Sequence, residues 1–235
     1  MKKLVAVSAV AVFSLVGCGG GGGSASSGST DTKPQETFAY NGLYANEQDQ
    51  VLMLVDSSRT TTPIIVGDFA SNAVMAAHTV QTNGSKLNIK GVTFVDTYNY
   101  VFDSTVSATA DFDSNGVMLN ATVNNQLLSY SLAKASDSKP LAEIVGTHTN
   151  ITDGTVWTID TEGNLTVNGI CQMYGQLTRN GSYFDVKNIQ VSNCRDSAYD
   201  GVYQGVVATA MYQGSYYLSG VMTNDEGAIW GSVSM

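Results

Sequence analysis

Basic residues and histidine are scarce in this sequence, and their scarcity argues against two large classes of function. The 235 residues include 11 Lys and Arg against 20 Asp and Glu, a formal net charge of −9, and only two histidines. Nucleic-acid binding needs a basic surface that neutralises phosphates, so we expect no nucleic-acid partner. His78 and His148 lie in unrelated sequence contexts, and neither a G-x-S-x-G nor an H-E-x-x-H motif is present. We therefore expect a protein that is not an enzyme and that carries no cofactor.

Long apolar runs are also lacking, apart from one at the N-terminus. Residues 4–16 are almost wholly apolar, follow Lys2 and Lys3, and are too few to span a bilayer. The run ends in Leu15-Val16-Gly17-Cys18, which resembles the lipobox of bacterial lipoproteins. The resemblance implies a signal peptide over residues 1–17, a lipid (palmitate-type acylation) on Cys18 and, because Gly19 follows, sorting to the outer membrane. An ordinary secretory signal is the alternative.

Residues 18–37 form a Gly- and Ser-rich stretch without apolar periodicity, which predicts a lipidated tether. A glycine run after the lipidated cysteine is similar to the anchor of surface lipoproteins of the transferrin-binding and factor-H-binding type. That similarity implies display at the cell surface, although glycine tethers also occur in lipoproteins that face the periplasm.

Cysteine is rare outside the signal, with only Cys171 and Cys194 remaining. An exported chain meets an oxidising compartment, which favours a disulfide between these two residues. A metal or redox pair is the alternative, but the C-x-x-C spacing and a neighbouring histidine are both missing.

The globular part contains an internal repeat of about one hundred residues. Four segments of the first half align in the same order with four of the second: 40–58 with 144–162, 87–97 with 184–194, 108–112 with 208–212, and 127–132 with 228–233. A shared order of faint matches indicates duplication. We expect β domain 1 over residues 38–135, a linker over 136–141, and a disulfide-bearing β domain 2 over 142–235.

Short β-branched and aromatic runs alternate with turn signals such as Asn-Gly throughout both copies. The pattern predicts an all-β fold with two tandem antiparallel β-barrel or β-sandwich domains of about eight short strands each. The segment 71–80, rich in Ala and Met, is the one place where a turn of helix is expected. A membrane barrel is not expected, because lipid-facing alternation with aromatic girdles is missing.

The segment Asp111 to Gly116, "DFDSNG", matches the first half of an EF-hand-type calcium loop. The candidate metal ligands are Asp111, Asp113 and Asn115. Thr122 stands where the closing Glu is needed, so a hairpin turn with solvated aspartates is the competing interpretation.

Aromatic residues crowd the last forty residues of the chain. A sheet that exposes them offers contact area to an unknown protein or glycan ligand, whereas a sheet that buries them uses them as core. The candidate partner-binding aromatics are Tyr203, Tyr212, Tyr216, Tyr217 and Trp230, with Tyr199 nearby.

The sequence thus predicts a lipid-anchored outer-membrane lipoprotein that serves as a binding or interaction module. The runner-up is a periplasm-facing inhibitor or immunity lipoprotein that caps a cell-wall-degrading enzyme, for which the acidic charge suits a basic target. A hydrolase that uses an unmarked carboxylate pair is a third hypothesis.

Overall fold

The computed structural model describes residues 38–123 and 126–235, which are almost entirely antiparallel β-structure. The predicted signal peptide, Cys18 and the tether lie outside the described residues. None of the residues it describes belongs to a helix that is long and apolar enough to cross a membrane.

The first barrel is closed and contains eight strands in chain order. Its strands are β1 (Gly42–Asn46), β2 (Val51–Val55), β3 (Ile64–Asp68), β4 (Ala73–Asn83), β5 (Lys86–Asp96), β6 (Tyr100–Phe112), β7 (Gly116–Val123) and β8 (Gln126–Lys134). Closure comes from pairing of β1 with β8, in which Tyr44 lies opposite Lys134. Closing the sheet leaves no unpaired strand edge, which an open sheet of this length would expose.

The second half forms an eight-stranded antiparallel sheet that curls into a nearly closed barrel. Its strands are β9 (Gly146–Thr149), β10 (Val156–Ile159), β11 (Asn164–Asn168), β12 (Gln172–Asn180), β13 (Tyr183–Ser192), β14 (Gly201–Tyr212), β15 (Ser215–Thr223) and β16 (Ala228–Ser234). Two short helices complete the chain, α1 (Leu141–Ile144) and a 3₁₀ turn over Ser197–Tyr199. The prediction of two tandem eight-stranded β domains is confirmed, and barrels rather than sandwiches are what the chain forms.

The two copies repeat local details as well as strand order. Tyr44 Oη donates to the Tyr40 carbonyl at 2.7 Å, and His148, which aligns with Tyr44, donates from Nε2 to the Ile144 carbonyl at 2.9 Å. In both copies the pairing of the fifth strand with the sixth is interrupted by a bulge, beside a residue of the fifth strand at positive φ, Gly91 (75°) and the aligned Asn188 (53°). Such bends re-aim a strand and increase its twist, as barrel closure requires.

Two sequence expectations are corrected by the pairing. The segment 71–80 is not helical, because residues 71–72 belong to the turn before β4 and the rest lies in β4, which pairs with β5 and, over residues 73–77, also with β3. The aligned segments 108–112 and 208–212 are three residues out of register. Ala108 lies opposite Ile89, and its true counterpart is Gly205, which lies opposite Val186.

The barrels share a third apolar core between their outer walls. Outward side chains of the first barrel pack on those of the second, forming a cluster that includes Leu43, Leu54, Ile65, Val74, Tyr183, Val206, Ala208 and Val221. Tyr183 Oη donates to Asp56 Oδ2 at 2.9 Å, and Arg59 Nη1 donates to Tyr183 Oη at 3.0 Å and also pairs with Asp185. Apolar packing together with directional bonds fixes one barrel against the other.

The connection between the barrels is also held in place. The Ser138 amide donates to the Ser182 carbonyl at 2.8 Å, and Arg179 Nη1 donates to the Ser138 carbonyl at 2.8 Å. The Lys139 amide donates to Thr209 Oγ1 at 2.8 Å. The segment predicted as a linker is therefore bound along the wall of the second barrel.

Candidate functional site

The first barrel has an unfilled interior that opens at one end. This cavity, called the cup below, has a volume of about 360 Å³. Its walls come from inward residues of β3 to β8: Ile64, Val66, Met75, Ala77, Ile89, Val92, Phe94, Val101, Val106, Ala108, Leu119, Ala121, Leu128 and Tyr130. The volume falls within the range of about 300 to 1,000 Å³ that is typical of small-molecule sites.

The strand register explains why these residues face one another. Ile64 lies opposite Ala77, and Ala108 lies opposite both Ile89 and Ala121 on neighbouring strands. Residues directly opposite in a ladder share one face of the sheet, so all of them point towards the barrel axis. Three of the inward residues, Ala77, Ala108 and Ala121, have short side chains that do not reach across the barrel, which leaves the interior open.

The opposite end of the barrel is closed by aromatic rings. Phe112 packs against three other rings, with centroids 5.4 Å from Phe38, 5.5 Å from Tyr40 and 5.3 Å from Tyr44. Phe38 and Tyr40 precede β1, so the chain enters the barrel at this closed end. The aromatic rings therefore plug that end of the barrel without lining the cup, whose own lining reaches the β5–β6 turn at Phe94, Asn99 and Val101.

The wall of the cup is almost entirely apolar. None of the described residues that line it carries a charge, and only Asn99 and Tyr130 bring polar side-chain groups. Burial is the main cause that raises the pKa of Tyr130, and the nearby Asp68 carboxylate, which accepts its hydrogen bond, adds to the shift. An ionised ligand group would find no counter-ion on these walls, and burying an unpaired charge is strongly unfavourable. The cup therefore suits an uncharged apolar molecule.

The second barrel shows how the same architecture is filled. Met222 lies opposite Gly205, just as Ala121 lies opposite the corresponding residue Ala108, so Met222 occupies the position of Ala121. In the same way, Trp157 occupies the position of Met53 in the second strand of its barrel. A Cβ added at Gly220 would lie 2.8 Å from Trp157 Cη2, and one at Gly205 would collide with Met222 Sδ. Glycine is required at both positions because the large side chains occupy that space. These large side chains leave the second barrel with a smaller open space of about 230 Å³, which Asn150 and Asp153 also line, against about 360 Å³ in the cup.

The candidate aromatics do not form one surface. Tyr203 is 3% exposed and donates from Oη to the Tyr199 carbonyl at 3.1 Å, so its ring is part of the core of the second barrel. Tyr212 and Tyr217 pack edge to face with centroids 5.5 Å apart, and Lys139 Nζ lies 4.5 Å from the centre of the Tyr216 ring. Trp230 lies elsewhere, at the contact between the barrels, where Nε1 donates to Asn72 Oδ1 at 3.0 Å.

The candidate calcium ligands are engaged in other contacts. Asp111 forms an ion pair with Lys86, and Asp113 Oδ1 accepts from the amides of Asn115 at 2.7 Å and Gly116 at 2.9 Å. Within the described residues, three or more His, Cys, Asp or Glu side chains nowhere gather in an arrangement that could hold a metal ion. "DFDSNG" builds the hairpin between β6 and β7, where Asp113 closes the turn.

The predicted disulfide joins Cys171 and Cys194 and is confirmed. It lies beside the paired ends of β12 and β13, where Gln172 is opposite Ser192. Of the two histidines, His148 supports the first strand of its barrel as described, and His78 bonds through Nε2 to Thr93 Oγ1 at 2.7 Å. The residues of the cup were missed because they lie on six strands, and only their register brings them together.

No protein-family model, no curated protein and no solved structure matches this chain.

Proposed function

We propose that this chain is an exported binding protein, held at the outer membrane by a lipid on Cys18, that takes up a small uncharged apolar molecule in the cup. The observation that carries this function is the open, apolar and uncharged interior of the first barrel, which is larger than the space left in the second. The lipobox motif and the acidic, motif-poor composition support an anchored binding module over an enzyme.

Ligand binding is tested with a neutral dye and a variant that fills the cup. The full chain carrying Cys18→Ser avoids competition from its own lipid or from detergent, and N-phenyl-1-naphthylamine fluoresces when it leaves water. Ala121→Met places in the cup the side chain that the second barrel carries at Met222. We expect at least a tenfold loss of dye affinity, because the added side chain occupies the volume the dye needs.

The matched control is Thr122→Met, which adds the same side chain one residue further along, on the outer face of β7. It should leave dye affinity unchanged. If the wild-type chain does not bind the dye, or if Ala121→Met binds it as tightly as the wild type, the cup is not a ligand site.

The lipid anchor has its own test in cells that export the chain. Metabolic labelling with palmitate should mark the wild type and not Cys18→Ser, and the variant should leave the membrane fraction. Protease treatment of intact cells then distinguishes the two faces, because a surface protein is digested before the outer membrane is opened.

A further inference from the structure

A second concave site lies between the barrels and has a different chemistry from the cup. This groove has a volume of about 410 Å³ and runs between the β5–β6 turn and the β15–β16 hairpin. Four aromatic residues line it: Tyr98, Tyr100, Tyr199 and Trp230. Tyr98 is 90% exposed, and Tyr100 and Tyr199 are each nearly half exposed, so their rings are available to a ligand.

The charged groups in the groove are all of one sign. Asp96 and Glu226 line it, and none of its described lining residues is Lys, Arg or His. The Arg195 backbone lies near the groove, since its amide donates to the carbonyl of the lining residue Ile170 at 2.8 Å, but Arg195 itself is not part of the lining. An anionic ligand would therefore be repelled, whereas a cation would meet only complementary charge.

Local hydrogen bonds fix the Asp96 carboxylate and the backbone of the turn that carries Tyr98. Asp96 Oδ1 accepts from the amides of Tyr98 and Asn99, both at 2.7 Å, which forms a tight turn with Tyr98 at its tip. The bond from the Tyr98 amide is the main cause that lowers the pKa of Asp96, so this carboxylate is ionised at neutral pH. Beneath the groove, burial raises the pKa of Tyr203, and the nearby Glu226 and Asp200 carboxylates contribute to the shift.

We propose that the groove binds a small organic cation, an amine or quaternary ammonium group, held by the aromatic faces and the two carboxylates. Aromatic rings attract a cation through their electron-rich faces, and the attraction is strongest where several rings and a carboxylate act together. This site adjoins the cup at Asn99, which lines both, but its aromatic rings and carboxylates lie outside the cup.

Choline is the test ligand, and 3,3-dimethylbutan-1-ol is its uncharged counterpart of nearly the same shape. Ligand-observed NMR titrations of the full Cys18→Ser chain should show choline binding at least tenfold tighter than the alcohol. Tyr98→Ala and Glu226→Gln should each weaken choline by roughly 2- to 30-fold, the range of one cation–π or exposed charge contact. Added salt should also weaken it, because the carboxylates are exposed to solvent.

Two controls separate this site from others. Tyr174→Ala removes a tyrosine that is 48% exposed outside the groove and should leave choline binding unchanged. Ala121→Met should also leave it unchanged while abolishing dye binding in the cup. The proposal is overturned if choline does not bind, if the alcohol binds equally well, or if Tyr98→Ala and Glu226→Gln both bind choline like the wild type.

Discussion

The contact between the barrels allows a sharp prediction, because it contains a nearly buried ion pair. The side chains of Arg59 and Asp185 are only 13% and 15% exposed. Asp185→Ala should remove the charge partner of Arg59 and leave its guanidinium with Tyr183 Oη at 3.0 Å as its remaining side-chain partner among the described residues. Asn180 Nδ2, which donates to Asp185 Oδ2 at 2.7 Å, would lose that acceptor as well.

The expected loss follows from that burial. Breaking a fully buried ion pair by removing one partner costs about 3 to 5 kcal/mol, and residual solvent contact screens part of it. We therefore expect Asp185→Ala to lower the free energy of unfolding by about 2 to 4 kcal/mol. For a chain of this size, that is a fall in Tm of roughly 5 to 15 °C. Urea unfolding followed by circular dichroism measures the first quantity, and calorimetry measures the second.

An exposed ion pair within the first barrel provides the control. Lys86 and Asp111 are 60% and 38% exposed, so Asp111→Ala should cost less than about 1 kcal/mol. The double variant Arg59→Met with Asp185→Leu should recover most of the loss, since it leaves no unpaired charge. Equal losses from Asp185→Ala and Asp111→Ala, or no recovery in the double variant, would refute the reasoning.

Three further predictions concern stability. Replacing Cys171 and Cys194 with Ser should lower the free energy of unfolding by about 3 kcal/mol, because the loop they close, with a sequence separation of 23, gains freedom in the unfolded chain. Chemical reduction of the wild-type disulfide should lower the free energy of unfolding by the same amount. Burial raises the pKa of Tyr44 to about 12. The contribution of the neutral Tyr44 side chain to the free energy of unfolding is therefore complete below pH 10, and it falls by about 1.4 kcal/mol per pH unit between pH 10 and about 12. In urea titrations, the free energy of unfolding of Tyr44→Phe should therefore decline less steeply with alkaline pH than that of the wild type. Asp113→Ala should lower the free energy of unfolding by about 1 kcal/mol, equally with and without calcium, because the turn loses the bonds to Asp113 Oδ1. If calcium raises the Tm of the wild type but not that of Asp113→Ala, the metal hypothesis is favoured instead.

The strand order was predictable because its signals are local. Asn-Gly turns mark the β4–β5, β6–β7 and β12–β13 hairpins, and hairpins joined in sequence leave few topologies to choose from. The failure at residues 71–80 has a physical cause as well. Ala and Met favour a helix in isolation, but Ala73, Val74 and Ala77 are buried within β4 by its neighbours on both sides. Tertiary pairing overrides so weak a local preference.

The register error at residues 108–112 shows where sequence comparison fails within a repeat. Val92 lies opposite Asp103, but Lys90 lies opposite Ser107, so β6 contains extra residues at its bulge. The second copy has its extra residue on β13 instead, between Val186 and Ile189. Short motifs such as "ATA" match equally well on either side of a bulge, although a shift of three residues exchanges the inner and outer faces.

The groove was hidden from the sequence for a related reason. Tyr98 and Tyr100 belong to a hairpin of the first copy, while Tyr199 and Trp230 belong to the second. The aromatic crowding near the C-terminus pointed to binding, but Tyr203 is core, and the rings that share a concave surface come from both halves of the chain. Only the packing of one barrel on the other places them together.

The contrast between the copies is the strongest reason to regard the cup as functional. Protein interiors are normally packed to the density of organic crystals, and the second barrel comes nearer to this than the first because Trp157 and Met222 occupy the space over two glycines. The same strand framework in the first barrel carries Ala121 where Met222 would fit, so a means of filling the space exists within the chain itself. An unfilled apolar interior forgoes stabilisation that each buried methylene would supply, at about 0.8 kcal/mol. A duplicated barrel that leaves the larger and wholly uncharged volume open in one copy is expected where that volume is used for binding.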